Sequence, residues 1–449
     1  MLHLTRRLYR TLRVAWDAAI IYWGYKRTQR RVRSLTPVQA GAAWEAQHDR
    51  SAQRLYRLCV DLKGLYIKAG QFIGTRADLV PSPYVRWLGQ LQDRVPPRPV
   101  SQVRATIERE LGRPVEELFA DFDDEPLAAA SLAQVHRARL SDGRAVAVKV
   151  QYPEVEELVD LDLRNLRAIV RLVAWREPRF DYRAIWAESA QEIPHELDFV
   201  REAEMQRRVA ANLRTEPRVI LPTVIDTLLT RRVLVTTFID GVNVLDREAL
   251  ERHEIDRVAV AETLAGAYGR QIIVDGLFQA DPHPGNILVC PDGTLALLDF
   301  GLTKQLTDAT RFGFSRMIVA ASQRNPIAVM ETFAELGIRT KHDDPASILH
   351  LVRLLFDARP VAGDQSLVQE SNAALDYNPI HAIPSDLILI GRVIGLLRGV
   401  SASMDIPFTP MEWLLPYAEA VLDGRHPPQQ VGPFTPAASP TAEAGSSPP

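Results

Sequence analysis

Hydrophobic residues recur at intervals of three and four along most of the chain, which is the spacing of amphipathic helices. Runs rich in β-branched residues are short and lie near the middle. The pattern predicts helices within 38–93, 101–120, 154–212, 246–276 and 306–422. It predicts a loop and two strands joined by an Asp142-Gly143 turn in 128–153, a strand in 231–241, and two short strands in 278–302. This mixture predicts an α+β fold.

The first 33 residues are predicted to form a basic amphipathic helix, with nine Lys or Arg residues and a single acid. Such a helix lies in the interface of an anionic membrane, or it packs on the protein with its arginines in water. The sequence leaves both interpretations open. One side carries Arg6, Arg7, Arg10, Arg13 and Asp17, and the other carries Leu4, Leu8, Leu12, Ala15, Trp16, Ala19, Ile20 and Trp23.

Composition then narrows the class of protein. A chain of 449 residues with 24% charged residues and a net charge of −3 is typical of a globular protein with two or three domains, or of one large two-lobed protein. Cys59 and Cys290 are too far apart in sequence to suggest a metal site or a disulfide framework, so we expect a reducing, cytoplasmic location. No apolar run approaches the roughly 20 residues that span a bilayer. Residues 426–449 contain seven prolines and are predicted to be disordered.

The strongest chemical signal is the pair of segments ADPHPGN (280–286) and LLDFG (297–301). Asp281 and Asn286 are five residues apart on a constrained loop, and Asp299 follows an apolar strand. Hard oxygen ligands of this kind suit Mg²⁺ held against phosphate oxygens, with Asn286 and Asp299 as the ligands. Asp281 is expected to be the catalytic carboxylate of the loop. The alternative is that all three are turn residues.

Lys149, in the strand AVAVKV, is the candidate phosphate-binding lysine. Such a lysine needs an acid from a neighbouring helix, and Glu202 is the candidate, although a solvated acidic helix face is the simpler alternative. The loop before the strand is unusual, because no glycine occurs between Gly112 and Gly143. Its phosphate-facing residues are expected to be Ala128, Ala129, Ala130 and Ser131.

Together these segments resemble the UbiB (AarF-like) family of atypical kinases, which is linked to isoprenoid quinone biosynthesis. The resemblance covers roughly residues 55–305. This chain departs from the family pattern at Gln279, where histidine is frequent, and at Ala133, where glycine is usual. Five motifs occur in the family's order, namely Lys68-Ala69-Gly70-Gln71, Ala128-Ala129-Ala130-Ser131, Lys149 in VAVKVQYP, Glu196-Leu197-Asp198 followed by Glu202, and ADPHPGN with DFG.

The resemblance implies a bilobal protein-kinase-like fold that binds ATP or ADP with Mg²⁺, in which alanines stiffen the loop that glycines usually form. It also implies that the helix of Lys68 and Gln71 covers the mouth of the site, with Lys68 facing Glu196 and Asp198. The expected units are a basic arm (1–35), a helical extension (36–100), a small lobe with inserted helices (101–240), a helical large lobe (241–425) and a tail (426–449).

Three functions compete on this evidence. The first is an atypical kinase or ATPase that supports quinone or related lipid metabolism. The second is a small-molecule phosphotransferase of the aminoglycoside or choline kinase type, and the third is a nucleotide-bound lipid-binding scaffold. The expected partners are a nucleotide, an anionic membrane surface, and an isoprenoid or quinone-precursor lipid. The expected membrane location is peripheral, on the inner face. No nucleic acid is expected, and the oligomeric state is left open.

Overall fold

In a computed structural model the chain forms two lobes preceded by a helical extension, which confirms the predicted α+β class. The predicted tail at 426–449 lies outside the residues that the structure describes. Those residues are 2–75, 80–91, 97–130, 132–177, 197–356, 377–378, 380–406 and 409–425, with isolated positions at 183, 186 and 190.

The extension is built from four helices around one apolar core. Thr36 caps the second helix, accepting from the Gln39 amide while the Gln39 side chain accepts from the Thr36 amide. The core brings together Val14, Leu58, Cys59, Leu62, Tyr66, Ile67, Leu88 and Leu91. The helices are α1 (Leu2–Arg31), α2 (Pro37–Leu62), α3 (Leu65–Thr75) and α4 (Ser82–Leu88), with a 3₁₀ turn at Val32–Ser34.

Helix α1 is packed with its polar side against the protein. Arg10 is buried, donates to both carboxylate oxygens of Asp162, and donates to the Leu62 carbonyl oxygen at 2.6 Å. Asp17 is buried between Arg13 and Arg54. The alternative of a packed α1 with its arginines in water is therefore wrong for Arg10, whereas Arg27 and Arg30 are exposed. The buried guanidinium of Arg10 is tolerated because the buried carboxylate of Asp162 neutralises its charge.

The apolar side of α1 consequently faces outward. Leu8, Leu12, Trp16 and Trp23 are 58%, 59%, 65% and 62% exposed. This orientation reverses the usual rule that a surface helix buries its apolar face.

The small lobe is a four-stranded antiparallel sheet in the order β1-β2-β3-β5. Helix α5 packs on β3, and its Val103 and Ile107 join Val146, Val148 and Val150 in a separate core. The strands are β1 (Asp121–Ala129), β2 (Ala133–Arg139), β3 (Ala145–Gln151) and β5 (Val233–Thr237), and the helices are α5 (Val100–Leu111), α6 (Val115–Leu118), α7 (Val155–Arg176) and α8 (Phe199–Asn212).

The large lobe surrounds the largest apolar core, which includes Tyr268, Phe278 and Phe300. Its four-stranded sheet has the order β4-β9-β8-β6, and a two-stranded sheet pairs β7 with β10. The strands are β4 (Val219–Ile220), β6 (Val242–Asn243), β7 (Leu277–Gln279), β8 (Ile287–Val289), β9 (Leu295–Leu297), β10 (Thr303–Gln305), β11 (Arg339–Thr340) and β12 (Ile380–Ala382). The helices are α9 (Arg247–Arg252), α10 (Arg257–Gly269), α11 (Asp308–Ser322), α12 (Pro326–Glu335), α13 (Pro345–Phe356), α14 (Ser385–Ser403) and α15 (Pro410–Leu422).

Two expectations about this region need correction. The long helix predicted for 246–276 is divided, because Asp256 caps a new helix, α10, and Arg270–Asp275 continues it as a π-helix. Strand β4 (Val219–Ile220) also belongs to the sheet of the larger lobe, since it pairs in parallel with β9, although it precedes β5 of the small lobe in the chain. The predicted boundary at residue 240 therefore does not separate the two lobes cleanly.

Gly70 shows how closely the extension is packed. It lies inside α3, and a Cβ at this position would lie against the Leu91 side chain and 2.9 Å from Cys59 Sγ. A Cβ added at Gly74 would lie 3.0 Å from backbone atoms of Leu88 and Gly89. The glycine of the Lys-x-Gly-Gln motif is thus required by helix packing, whereas the motif in isolation reads as a glycine cap at a helix end.

Gly70→Ala is expected to destabilise the protein by about 1 kcal/mol, because overpacking outweighs the helix propensity that alanine adds. Gly395→Ala in α14 is the matched control, since nothing lies within 4 Å of its added Cβ. Urea unfolding should give a lower midpoint for Gly70→Ala and an equal or higher one for Gly395→Ala. Equal stability of the Gly70 variant and the wild type would contradict the packing explanation.

Candidate functional site

Lys149 lies at the junction of the two lobes. It projects from β3, and its Nζ donates to Glu202 Oε1 at 2.6 Å and to Asp299 Oδ2 at 2.9 Å. The Phe199 ring lies beneath the ammonium, with 5.1 Å between Nζ and the ring centroid. The structure thus joins the strand lysine, the helix acid and the acid of the Asp-Phe-Gly segment.

Helix α8 presents Glu202 to this lysine because of how the helix begins. The Asp198 carboxylate accepts from the amides of Val200 and Arg201, which fixes the first turn. Glu202 follows in that turn and is only 4% exposed. A buried carboxylate requires a cation, and Lys149 supplies it.

The charges at the junction perturb one another. Burial raises the pKa of Glu202 to about 7, with Lys149 opposing the rise and Asp299 adding to it. Burial would lower the pKa of Lys149, but the charges of Asp299 and Glu202 outweigh it, so the net shift is upward. The pKa of Asp299 is lowered, because Lys149 and the Gly301 amide outweigh desolvation. Lys149 is therefore a cation and Asp299 an anion at neutral pH.

The loop after β7 holds Asp281 and Asn286 together. Asn286 Nδ2 donates to the Asp281 carbonyl oxygen at 3.2 Å, and the Leu298 amide donates to the Asn286 carbonyl at 2.9 Å. The second contact ties the loop to the segment that follows β9 and contains Asp299. Asp281 Oδ1 accepts from Arg392 Nη2 at 2.8 Å. The sequence pattern did not single out Arg392 as a functional residue.

Gln279 positions Asp299 through the backbone. Asp299 has a φ of +42°, a strained conformation for a residue with a side chain. The buried Gln279 side chain donates to the carbonyl oxygens of Leu298 and Asp299 at 2.7 and 2.6 Å, and it accepts from the Tyr268 hydroxyl. The residue that departs from the family pattern therefore supports the strained segment by hydrogen bonding.

The alanine-rich loop is shorter than the sequence indicated. Ala128 and Ala129 belong to β1, where they pair with Val135 and Gln134, so they are not loop residues. The Ala130 amide donates to the Ala133 carbonyl oxygen at 2.8 Å, so this amide is already hydrogen-bonded within the protein, and phosphate contact by Ala130 stays a prediction. Ser131 lies outside the described residues, and its phosphate contact stays a prediction.

Tyr152, which the sequence pattern did not indicate as a functional residue, hydrogen-bonds to this loop through its hydroxyl and its amide. Its hydroxyl donates to the Ala130 carbonyl at 3.0 Å, and its amide donates to Leu132 at 3.0 Å. Leu65 of α3 packs with Leu132 and Tyr152 in one buried cluster. The helix of the Lys-x-Gly-Gln motif is thus in contact with the loop that is expected to cover the phosphates.

Of the residues predicted to form the cover, Lys68 and Asp198 lie with their side chains in the part of the chain that the structure describes. Lys68 lies on α3 and is half-buried. Desolvation would raise the pKa of Asp299, and the charge of Lys68 opposes this rise together with Lys149 and the Gly301 amide. The Asp198 carboxylate caps α8 and lies 3.6 Å from Arg231 Nε. Glu196 and the Gln71 side chain lie outside the described residues. The expected pairing of Lys68 with Glu196 therefore stays a prediction.

The donor set fits Mg²⁺ held jointly with phosphates. Asn286 uses its amide nitrogen on Asp281, which directs its side-chain oxygen away from that contact, and Asp299 contributes a carboxylate. One carboxylate and one amide oxygen suit a cation that takes its remaining ligands from phosphates and water. Within the described residues no group of three or more His, Cys, Asp and Glu could hold a metal by itself.

Comparison with known proteins identifies the family. Residues 90–333 match the model of the ABC1 atypical kinase-like domain. AarF domain-containing protein kinase 1 of Gallus gallus is 34% identical over 372 residues, which cover 80% of this chain and 72% of the relative. The chain belongs to the UbiB/AarF family of atypical kinases.

Plant and bacterial proteins extend the similarity. The chloroplastic protein ACTIVITY OF BC1 COMPLEX KINASE 7 of Arabidopsis thaliana is 31% identical, over 83% of this chain and 55% of the relative. The solved complex of Rv3197 with erythromycin from Mycobacterium tuberculosis shares the fold, with a TM-score of 0.59 and 24% identity over 83% of this chain and 97% of that one. The sequence matches to the UbiB/AarF family and the structural match to this solved protein therefore support the same bilobal kinase-like fold.

Proposed function

We propose that this UbiB/AarF protein binds Mg²⁺ with ATP or ADP between its lobes and transfers the γ-phosphoryl group to water or to a small or lipidic acceptor. The observation that carries the proposal is the simultaneous bonding of Lys149 to Glu202 and Asp299. Phosphoryl transfer in kinase-like folds relies on this lysine and acid pair to position phosphates, and on the second acid to bind the metal. Lys149, Glu202 and Asp299 are held together in the arrangement that phosphoryl transfer uses. This favours catalysis over a nucleotide site with a purely structural role.

The segment after Asp-Phe-Gly favours a small or lipidic acceptor. Strand β10 begins at Thr303, and Thr307 already caps α11. This leaves only a few residues where protein kinases carry the segment that seats a peptide. Support of isoprenoid quinone or related lipid metabolism, as the family resemblance implies, is consistent with such an acceptor.

Asp299→Asn tests the metal and nucleotide site. The variant loses one ligand charge, so we expect Mg²⁺-dependent ATP binding to weaken by at least about tenfold with the fold retained. Titration calorimetry with and without Mg²⁺ measures this directly. Asp292→Asn, in an exposed turn of the same lobe, is the control and should bind like the wild type. Unchanged affinity and Mg²⁺ dependence in Asp299→Asn would place the site elsewhere.

We further propose that the outward side of α1 rests on an anionic bilayer. Its exposed apolar residues lie on one side of the helix, and Arg27 and Arg30 continue that side toward the carboxyl end, where both are exposed. Tryptophans at the interface with nearby cations at the headgroups are typical of helices that lie on membranes. No helix in the described ranges is long and apolar enough to cross a membrane.

Helix α7 extends this surface. It runs beside α1 in the same direction, since Arg7 pairs with Glu157 and Lys26 pairs with Glu177. Trp175, 71% exposed, precedes Glu177 by two residues and so lies near the carboxyl end of α1. Two parallel helices therefore contribute apolar groups to the proposed membrane contact.

Trp16→Glu tests the proposed membrane contact at an exposed position. Deletion of α1 is a poorer test, because it would also expose the residues that pack against the buried Val14. Vesicles of phosphatidylglycerol and phosphatidylcholine should bind the variant about tenfold more weakly in flotation assays, since an exposed apolar anchor is replaced by an anion. Binding of the wild type should also fall with added salt. Ile327→Glu, an equally exposed position in the large lobe, is the control and should bind like the wild type. Equal binding by both variants would refute the membrane contact.

A further inference from the structure

Arg392 is one of two arginines, with Arg398, in the largely apolar helical segment LILIGRVIGLLRGV. Helix α14 is held in the core of the large lobe by Ile390, Val393, Ile394 and Leu397, all of them buried. This packing fixes the opposite side of the helix toward the site. The segment lies beyond residues 90–333, which match the family domain.

Helix α14 contacts the loop of Asp281 and the strand that follows the Asp-Phe-Gly segment. Arg392 Nη2 donates to Asp281 Oδ1 at 2.8 Å, and the two side chains are 20% and 21% exposed. Asp386 Oδ1 lies 3.2 Å from Lys304 Nζ, just after the Asp-Phe-Gly segment. These contacts are about 9 Å apart along the helix axis. The helix therefore spans from the loop of Asp281 to the segment that follows Asp299.

We propose that Arg392 is a positioning residue for Asp281 in phosphoryl transfer. This inference rests on the proposed function. By holding Oδ1, the guanidinium fixes the carboxylate rotamer, so that Oδ2 faces the acceptor hydroxyl. The acceptor oxygen then bonds to the γ-phosphorus, its proton passes to Asp281, and the bond from that phosphorus to the bridging oxygen breaks to release ADP.

The half-buried environment makes this contact effective. An exposed ion pair between long side chains contributes little, whereas a pair shielded from water keeps its geometry. Arg392 also places a cation beside a carboxylate that must approach a phosphate of the same charge. Loss of the cation should therefore affect the transfer step more than the binding of nucleotide.

The test compares Arg392→Gln, Arg392→Lys and Arg392→Ala with Arg398→Gln, which removes a cation from another side of the same helix. Steady-state ATP hydrolysis and nucleotide affinity are measured separately. Arg392→Gln should lower kcat by about 10-fold to 100-fold and change nucleotide affinity by less than about twofold. Arg392→Lys should recover part of the loss, and added guanidinium should rescue Arg392→Ala in a saturable way. Arg398→Gln should behave as the wild type.

Other outcomes overturn the inference. An unchanged or raised kcat in Arg392→Gln would mean that the contact is inert or restrains Asp281. Equal losses of kcat and nucleotide affinity without guanidinium rescue would indicate a structural role only. If the wild type hydrolyses ATP but Arg392→Gln matches it, this inference fails while the proposed function stands. If the wild type transfers no phosphoryl group to any acceptor tried, both fail.

Discussion

The rest of the site depends on one largely buried cation, Lys149, which is 20% exposed and is shared between Glu202 and Asp299. A carboxylate as buried as Glu202 is costly without a partner, and a lysine between two acids keeps its charge. The shared ion pair joins β3 and α8 of the small lobe to the Asp-Phe-Gly segment of the large lobe. Gln279 supports the same segment from the opposite side through two backbone carbonyl oxygens.

The helical extension restrains this arrangement from the side of the small lobe. Leu65 of α3 packs against Leu132 and Tyr152, and the Tyr152 hydroxyl holds the Ala130 carbonyl. The restraint on the loop therefore has two sources, the Cβ atom of Ala130 and the packing of the loop against the extension. Helix α1 connects the extension to α7 through the buried ion pair of Arg10 and Asp162. The apolar side of α1 faces outward.

Local pattern and motif spacing predicted the α+β class, the extension helices and the residues that meet at Lys149. They predicted poorly where a contact between distant segments decides the outcome. Arg10 and Asp17 of α1 face inward because Asp162 and Arg54, remote in sequence, supply the opposite charges. Ala128 and Ala129 joined β1 because β2 supplied partners. Gly70 is explained by Cys59 and Leu91, and Arg392 gave a signal only as a charge within an apolar helix.

The most direct test of the account is a double-mutant cycle on Mg-ATP affinity, measured by titration calorimetry for the wild type, Glu202→Gln, Lys149→Met and the combined variant. If Glu202 acts by positioning Lys149, Glu202→Gln should weaken binding by about tenfold in the wild type, as expected for a lost charged hydrogen bond. It should have no further effect once Lys149 is replaced. An equal loss in both backgrounds, or none in either, would contradict the central role of the shared lysine.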